Sequence, residues 1–365
     1  MNVITAPWPA ASEALPHTER YPRIHESSDE TNLEISREAG VVCIRRGQPF
    51  QPYEITLRPR NRGLYVPRVS CQTTFSLDSI FALMDRTDFA WICDNIARYE
   101  DSNSVRGVLE AQLFAYVSPG EFVGKRLLDF GCGSGASTMA MARLLPDTEI
   151  VGVELDPVRV EFANHLKASQ GVDNVSFLCS PSGTELAPGI GLFDFVMLSA
   201  VYEHLLPNER KTAMPLLWSA MKPGGKIFIN QTPYRYSPLE AHSTGLPLVN
   251  YMPDRLAHLF VRCFAGRNQE INASKDWNVH LRGGLRGGTE REIVNNLTSG
   301  NRRSAKAMQP HRNGVHDRAS LWLSRTSSRR FRRVKKLLAT GFRLTDRCLG
   351  TIPALNLELV VEKVR

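Results

Sequence analysis

The rhythm of apolar positions divides the chain into regions. Residues 1–40 are rich in Pro, Ser, Glu and Thr and show little periodicity, which predicts a flexible lead-in. Short β-like pieces follow at 41–44 and 53–57, separated by Gly and Pro. Ile80, Leu83, Met84, Phe89, Ile92 and Ile96 then recur mostly at three to five residues and predict helix over 77–99, with a second helix over 105–116. Residues 41–100 therefore read as a small accessory region.

Beyond residue 120 the period alternates. Strands are predicted at 127–130, 149–154, 175–178, 193–198 and 226–230. Helices fit between them at 136–145, from the Asp156-Pro157 start onward, and at 208–221. Strands alternating with helices imply a parallel sheet covered on both faces. Thr289 followed by Glu292 is a capping-box pattern opening a helix to Leu297, and Leu355, Leu357, Leu359 and Val361 alternate as a last strand.

The first strand of this series runs into Asp129-Phe130-Gly131-Cys132-Gly133-Ser134-Gly135. Glycines tolerate positive φ and carry no Cβ to block a ligand lying on the backbone. The loop stands where a strand gives way to a helix, at the sheet edge where open α/β folds bind ligands. Glu154 ends the next strand, where a carboxylate can accept hydrogen bonds from both hydroxyls of a ribose. These features indicate an adenosine-containing cofactor. Gly131, Gly133 and Ala136 also satisfy the looser dinucleotide pattern, so on the loop alone a nicotinamide cofactor stays open.

Four motifs in register take the reading further. Asp129 stands two residues before the first glycine. Phe193-Asp194-Phe195-Val196 forms a fourth strand, followed by Tyr202-Glu203-His204-Leu205, and Lys222-Pro223-Gly224-Gly225-Lys226 makes a turn before the fifth. In these motifs, over about 105–230, the chain resembles class I S-adenosylmethionine-dependent methyltransferases. The resemblance implies a Rossmann-like doubly wound α/β sheet, mostly parallel with an antiparallel C-terminal strand. It implies a methyltransferase domain over 101–365, comprising a cofactor-binding core at 120–231, an acceptor lid at 232–260, a basic insertion at 300–350 and the final strand at 354–361. S-adenosyl-L-methionine is the implied cofactor. Asp129 and the loop at Gly131, Cys132, Gly133 and Gly135 would hold its methionine end, Glu154 the ribose and Leu155 one side of the adenine. Ser180 falls where many relatives carry an Asp that binds the adenine amino group, and Ser199 and Tyr202 would lie near the sulfonium.

Methyl transfer from a sulfonium needs no metal, and none is expected. A hydroxyl acceptor benefits from a general base, for which His204 and His242 are the candidates. His242 lies in Thr232–Pro247, which resembles a T-P-N-R-x-x-P-x-x-x-H-x-x-x-L-P pattern of bacterial methyltransferases, with Tyr234 in place of the Asn. No Asn/Asp-Pro-Pro-Tyr/Phe motif and no Pro-Cys nucleophile follow the fourth strand. The expected acceptor is an oxygen on a small molecule, lipid or glycan; an RNA or protein acceptor and a non-catalytic cofactor-binding protein are the alternatives.

Charge is unevenly spread. Of a net +8, the stretch from Arg302 to Cys348 holds 14 Lys and Arg against two acids, so that it carries +12 and the remainder −4. Within it, residues 327–344 place Phe331, Val334, Leu338 and Phe342 on one helical stripe among Arg and Lys. The plainest expectation is a helix packing that stripe on the sheet; peripheral membrane contact through 327–344 is the alternative, and aromatics for base stacking are too few to expect nucleic acid. The odd set of seven cysteines, with no C-x-x-C pair, argues against a disulfide framework and fits small buried residues in a reducing, cytoplasmic setting.

Overall fold

The computed structural model describes residues 32–48, 50–61, 64–100, 102–266, 273–325 and 331–364. Four antiparallel strands open it: β1 (Asn32–Ser36), β2 (Gly40–Gln48), β3 (Gln51–Pro59) and β4 (Ser70–Thr73), paired in that order. The lead-in expected through residue 40 thus ends earlier, because Leu33 and Ile35 alternate with polar neighbours and pair with Ile44 and Val42; residues 1–31 lie outside the described residues. Helices α1 (Leu77–Arg86) and α2 (Ile92–Glu100) cover this sheet. The single helix expected over 77–99 is broken at Thr87, which is extended at φ −131°, and resumes through a 3₁₀ turn at Phe89–Trp91. Ala136, Phe162 and Leu166 further along the chain share the same core, so the accessory unit is packed onto the helices that carry them.

After α3 (Ser102–Phe114) the alternation begins: β5 (Arg126–Phe130), α4 (Ala136–Leu144), β6 (Glu149–Glu154), α5 (Pro157–Gln170), β7 (Val175–Cys179), β8 (Phe193–Ser199), α6 (Pro207–Ser219) and β9 (Met221–Pro233). Asp156 caps α5 as expected, accepting from the Val158 N–H at 2.9 Å. Then come α7 (Asp254–Phe264), α8 (Trp277–Arg282), α9 (Glu290–Leu297), β10 (Ala305–Ala307), α10 (Arg318–Arg325), α11 (Arg332–Leu349) and β11 (Asn356–Lys363). Seven strands form one sheet in the order β10-β11-β9-β8-β5-β6-β7. Strands β5 to β9 run parallel, and β11 lies antiparallel to β9. The short edge strand β10 pairs antiparallel to β11 and was not anticipated. Leu127, Ile150, Phe195 and Phe228 fill the core on one face; Leu128, Val151, Val196 and Ile227 fill the other. Both faces are buried, as a parallel sheet requires.

Two expectations need correcting. Cys43, Cys71 and Cys93 are buried, but Cys179, Cys263 and Cys348 are exposed. In α11 only part of the predicted stripe packs inward: Phe342 meets Trp322 edge-on at 5.0 Å, whereas Phe331, Val334 and Leu338 are 65%, 52% and 46% exposed. Arg318 explains the orientation, since it binds Glu290 at 2.9 Å, Asp346 of α11 and the Gly350 carbonyl, and so turns the Asp346 side of the helix inward. Residues 327–330 of the basic stretch lie outside the described residues. No described helix is long and apolar enough to cross a membrane.

Candidate functional site

The parallel register aligns the carboxyl ends of β5, β6 and β8, where a cavity of about 280 Å³ opens. Among its lining residues are Asp129, Gly131, Cys132, Gly133, Glu154, Leu155, Ser180, Ser199 and His204. The loop folds back on β6: the N–H groups of Gly131 and Cys132 both donate to the Val153 carbonyl, at 2.8 and 3.0 Å. All three loop glycines have positive φ, but they do different work. A Cβ on Gly131 would meet Val201 at 2.8 Å, and one on Gly135 would meet Phe177 at 2.8 Å. Gly133 alone of the three faces open space, with nothing within 4 Å of an added Cβ. It is the one whose missing side chain leaves room for a ligand.

Carboxylates stand on either side. Glu154 Oε2 accepts from the Gly133 N–H at 2.9 Å, and Oε1 from the Leu155 N–H at 2.8 Å. Asp129 is buried, and its Oδ2 accepts from the Thr138 hydroxyl at 2.7 Å. Burial, aided by Glu154 and opposed by the Thr138 bond, pushes the Asp129 carboxyl up to about 6. Burial likewise raises the Cys132 thiol well above its ordinary value. Leu155 is 48% exposed and faces Gly183 across the cavity mouth. Ser180 lines the cavity, but its hydroxyl donates to the carbonyls of its own loop, Ser182 at 2.9 Å and Glu185. Its proton is already used there, which leaves only its lone pairs for a ligand.

Tyr202 does not line this cavity. It is fully buried, its hydroxyl donating to Glu292 at 2.8 Å and accepting from Asn296 at 3.0 Å, with the Arg210 guanidinium over its ring. The reading that put it near the sulfonium followed position in the motif; its side chain points instead to α9. Glu292 is thereby drawn away from the capping box expected at Thr289, of which only the Thr289 half is formed.

His204 and His242 do come together, their ring centroids 5.6 Å apart. His204 Nδ1 lies 2.6 Å from the Arg282 carbonyl, an acceptor, so Nδ1 carries the proton and Nε2 keeps its lone pair. That Nε2 is buried, with no hydrogen-bond partner among the described residues and 3.9 Å from Glu203 Oε1. His242 is buried behind it, and burial followed by the neighbouring His204 pulls its pKa down to about 3. At that value it is neutral at physiological pH and a poor proton acceptor. The 232–260 segment that carries it lines a second cavity, of about 250 Å³, with Tyr234, Glu240 and Arg286. It is pinned rather than free: Glu240 accepts from the N–H groups of His242, Ser243 and Thr244, and Arg286 donates to the Val249 and Asn250 carbonyls.

Several cavity residues went unnoticed in the sequence. Trp91, Asp94, Asn95 and Arg98 reach it from the accessory helices, and Arg282 from α8. Ala200 and Gln231, at the ends of β8 and β9, hold φ of +55° and +59°, a left-handed conformation costly for non-glycine residues and concentrated at functional sites.

Residues 127–225 match the family model described as a methyltransferase domain. A ribosomal protein L11 methyltransferase of Photobacterium profundum is 24% identical over 153 residues, 38% of this chain and 49% of its own length. A ubiquinone biosynthesis O-methyltransferase of Xanthomonas euvesicatoria is 31% identical over 120 residues, 32% of this chain and 48% of its own. The solved structure of PKMT2 from Rickettsia typhi is 13% identical and covers 69% of this chain and 53% of its own, with a TM-score of 0.40. The chain spans about half the length, or less, of the curated relatives it matches.

Proposed function

We propose that this chain, which carries a class I S-adenosylmethionine-dependent methyltransferase domain over residues 127–225, methylates an oxygen of a small molecule, lipid or glycan. The observation that carries the reading is the pairing, in one cavity, of an unfilled glycine position with a lone pair: Gly133 opens between Asp129 and Glu154, and His204 Nε2, on the same lining, has no hydrogen-bond partner among the described residues. The residues fit the cofactor. Asp129 and the backbone of 131–135 would hold the methionine end, Glu154 the ribose hydroxyls, and Leu155 one face of the adenine. Bound S-adenosyl-L-methionine supplies a methyl on a sulfonium, so that an O–C bond forms as the S–C bond breaks and leaves a neutral thioether.

The chain's own contribution is to place an acceptor hydroxyl, to receive its proton and to keep water out. His204 is the better base of the two histidines, because it lines the cavity and its Nδ1–H is already fixed on a carbonyl. Trp91, Asn95 and Arg98 wall the cavity from the accessory side. Calorimetric titration with S-adenosylhomocysteine tests the cofactor assignment: wild type binds, Gly133→Arg does not, and Glu154→Ala binds at least about tenfold more weakly, as loss of charged hydrogen bonds predicts. Absence of binding to wild type would overturn it. Methyl label transferred into a cell extract identifies the acceptor, and labelled RNA or protein would displace the oxygen reading.

Helix α11 favours a lipid surface as the place of work. Val334, Leu337, Leu338, Leu344 and Leu349 are 46% to 74% exposed. At 100° per residue they fall within an arc of about 140°. Arg333 and Lys335 border that arc, and Arg332, Lys336 and Arg347 continue the positive face. Apolar residues flanked by cations match an anionic membrane interface; phosphate contact by itself would have no use for the exposed leucines. Co-sedimentation with phosphatidylserine-containing vesicles, absent with phosphatidylcholine alone, is the expected result; retention on RNA without vesicle binding would refute it.

A further inference from the structure

We infer that Glu203, His204 and His242 form a binding site for a divalent transition-metal ion. One donor atom from each lies within 4.8 Å of the other two, although His242 is 38 residues from His204 in sequence. Two of the three come from the 3₁₀ turn after β8 and the third from the segment after β9.

Glu203 gives the strongest reason. Its side chain is fully buried; Oε2 accepts from the Thr232 hydroxyl at 3.0 Å, while Oε1 has no hydrogen-bond partner among the described residues. A buried carboxylate oxygen left unpartnered costs several kcal/mol unless a proton or a metal cation meets it. Arg210 is spent on the carbonyls of Glu203, Leu205 and Gly287 and on Glu292. What Oε1 does face is His204 Nε2, at 3.9 Å. Two acceptors pointing at each other, a carboxylate oxygen and an imidazole lone pair, are held apart until a proton or a metal ion lies between them.

The surroundings are those of a ligand set. The Arg282 carbonyl fixes the His204 tautomer so that Nε2 presents its lone pair, the outer-shell arrangement that orients metal-binding histidines. His242 is given room by Gly284, at φ +91°, where an added Cβ would lie 2.4 Å from the ring. Bonds of about 2.1 Å in a tetrahedral site put donor atoms about 3.4 Å apart, so the 3.9 Å pair must close by about half an ångström and a pair at the 4.8 Å limit by about 1.4 Å. Two imidazoles and one carboxylate suit zinc, cobalt or iron(II) better than the all-oxygen preference of magnesium or calcium. Three protein donors also leave a coordination position vacant, and His204 stands on the wall of the cofactor cavity.

This site deepens the methyl-transfer reading and, in its role, rests on it. In the metal-free protein the His204 lone pair takes the acceptor's proton. With the ion bound, that lone pair is committed to the metal, the acceptor oxygen coordinates it as well, and the hydroxyl proton passes to water at a lowered pKa.

Metal binding itself is tested apart from transfer. The full chain, stripped with a chelator, is titrated with Co²⁺ and Zn²⁺ and followed by calorimetry and by visible absorption of the cobalt form. Expected are one ion per chain, cobalt ligand-field bands of four- or five-coordinate intensity, displacement by zinc, and loss of at least about a hundredfold in affinity on His242→Ala or Glu203→Gln, more than outer-shell changes cost. Wild-type protein that binds no stoichiometric cobalt overturns the inference whatever the variants do. So does undiminished binding by both variants, with circular dichroism reporting their folding. S-adenosylhomocysteine binding on the same preparation separates the outcomes: protein that binds the nucleoside but no metal loses this site alone, and protein that binds metal but no nucleoside loses the transfer reading.

Discussion

Asp129 sets stability against ligand binding, and Asp129→Asn should move the two in opposite directions. The carboxyl titrates at about 6 in the fold against an ordinary 3.8, chiefly because it is buried. Between those values the folded chain holds a proton that the unfolded chain has lost, so stability falls as pH rises through that window. The full difference of 2.2 units corresponds to about 3 kcal/mol at 1.36 kcal/mol per unit. Titration curves at those two values place roughly 2 kcal/mol of it between pH 4.5 and 7.5. Asparagine cannot ionise, and its amide oxygen can still accept from Thr138. The variant should therefore gain on wild type by roughly 2 kcal/mol over that range, a relative Tm shift of about 3 °C at about 2.1 cal/mol/K of unfolding entropy per residue over 365 residues.

His242 imposes the reverse slope, since its folded pKa of about 3 lies below its ordinary 6.5 and stability is lost as pH falls through that window. It is present in both proteins, so the difference between their melting curves cancels it. Above about pH 6, where the wild-type carboxyl is ionised, Asp129→Asn should bind S-adenosylhomocysteine about 10- to 100-fold more weakly, because a charged hydrogen bond to the methionine end is lost, and the gap should shrink toward pH 4.5. A variant that is more stable yet binds less cannot be explained by misfolding. A Tm difference that stays flat from pH 4.5 to 7.5, or unchanged affinity in the variant, would refute the argument.

Tyr202→Phe should cost about 1–2 kcal/mol in denaturant unfolding by leaving Glu292 and Asn296 short of a partner, with cofactor affinity unchanged because the ring lies outside the cavity. Arg318→Met leaves the Glu290 carboxylate buried beside Asp346 and should destabilise by about 3–5 kcal/mol, measured by urea unfolding. Leu337→Glu combined with Leu344→Glu should lower vesicle partitioning at least about tenfold while leaving Tm nearly unchanged, since both side chains are exposed. The His242 imidazole should show no NMR titration between pH 5 and 8, in keeping with a pKa of about 3.

The glycine-loop half of the candidate site was legible because its information is local. Asp129, the three glycines and Glu154 lie on consecutive elements, and a strand, a glycine loop and a capped helix each leave a signature within a few residues. The final strand, by contrast, sits at Asn356–Lys363 rather than 354–361, because alternation fixes which side chains face inward and not where pairing stops. Tyr202 misled for a related reason. Its motif correctly placed it on a turn at the sheet edge, but the direction of the side chain is decided by Glu292 and Asn296, 90 and 94 residues away.

The half around the two histidines is assembled entirely by such distant contacts. His204 is oriented by a carbonyl of α8, His242 is seated against Gly284, and the far wall of the cavity comes from α2 and the turn before it. No single stretch of sequence holds two of these relations. The break at Thr87 matters for the same reason: one continuous helix over 77–99 could not place Asp88 and Trp91 on the cavity while α1 and α2 both cover the accessory sheet. The accessory unit, which offered no functional signal in sequence, is in this way one wall of the cavity proposed for the cofactor. Substitution of Trp91 should thus weaken S-adenosylhomocysteine binding without touching any residue of the methyltransferase motifs, and unchanged affinity in Trp91→Ala would reduce that unit to a scaffold.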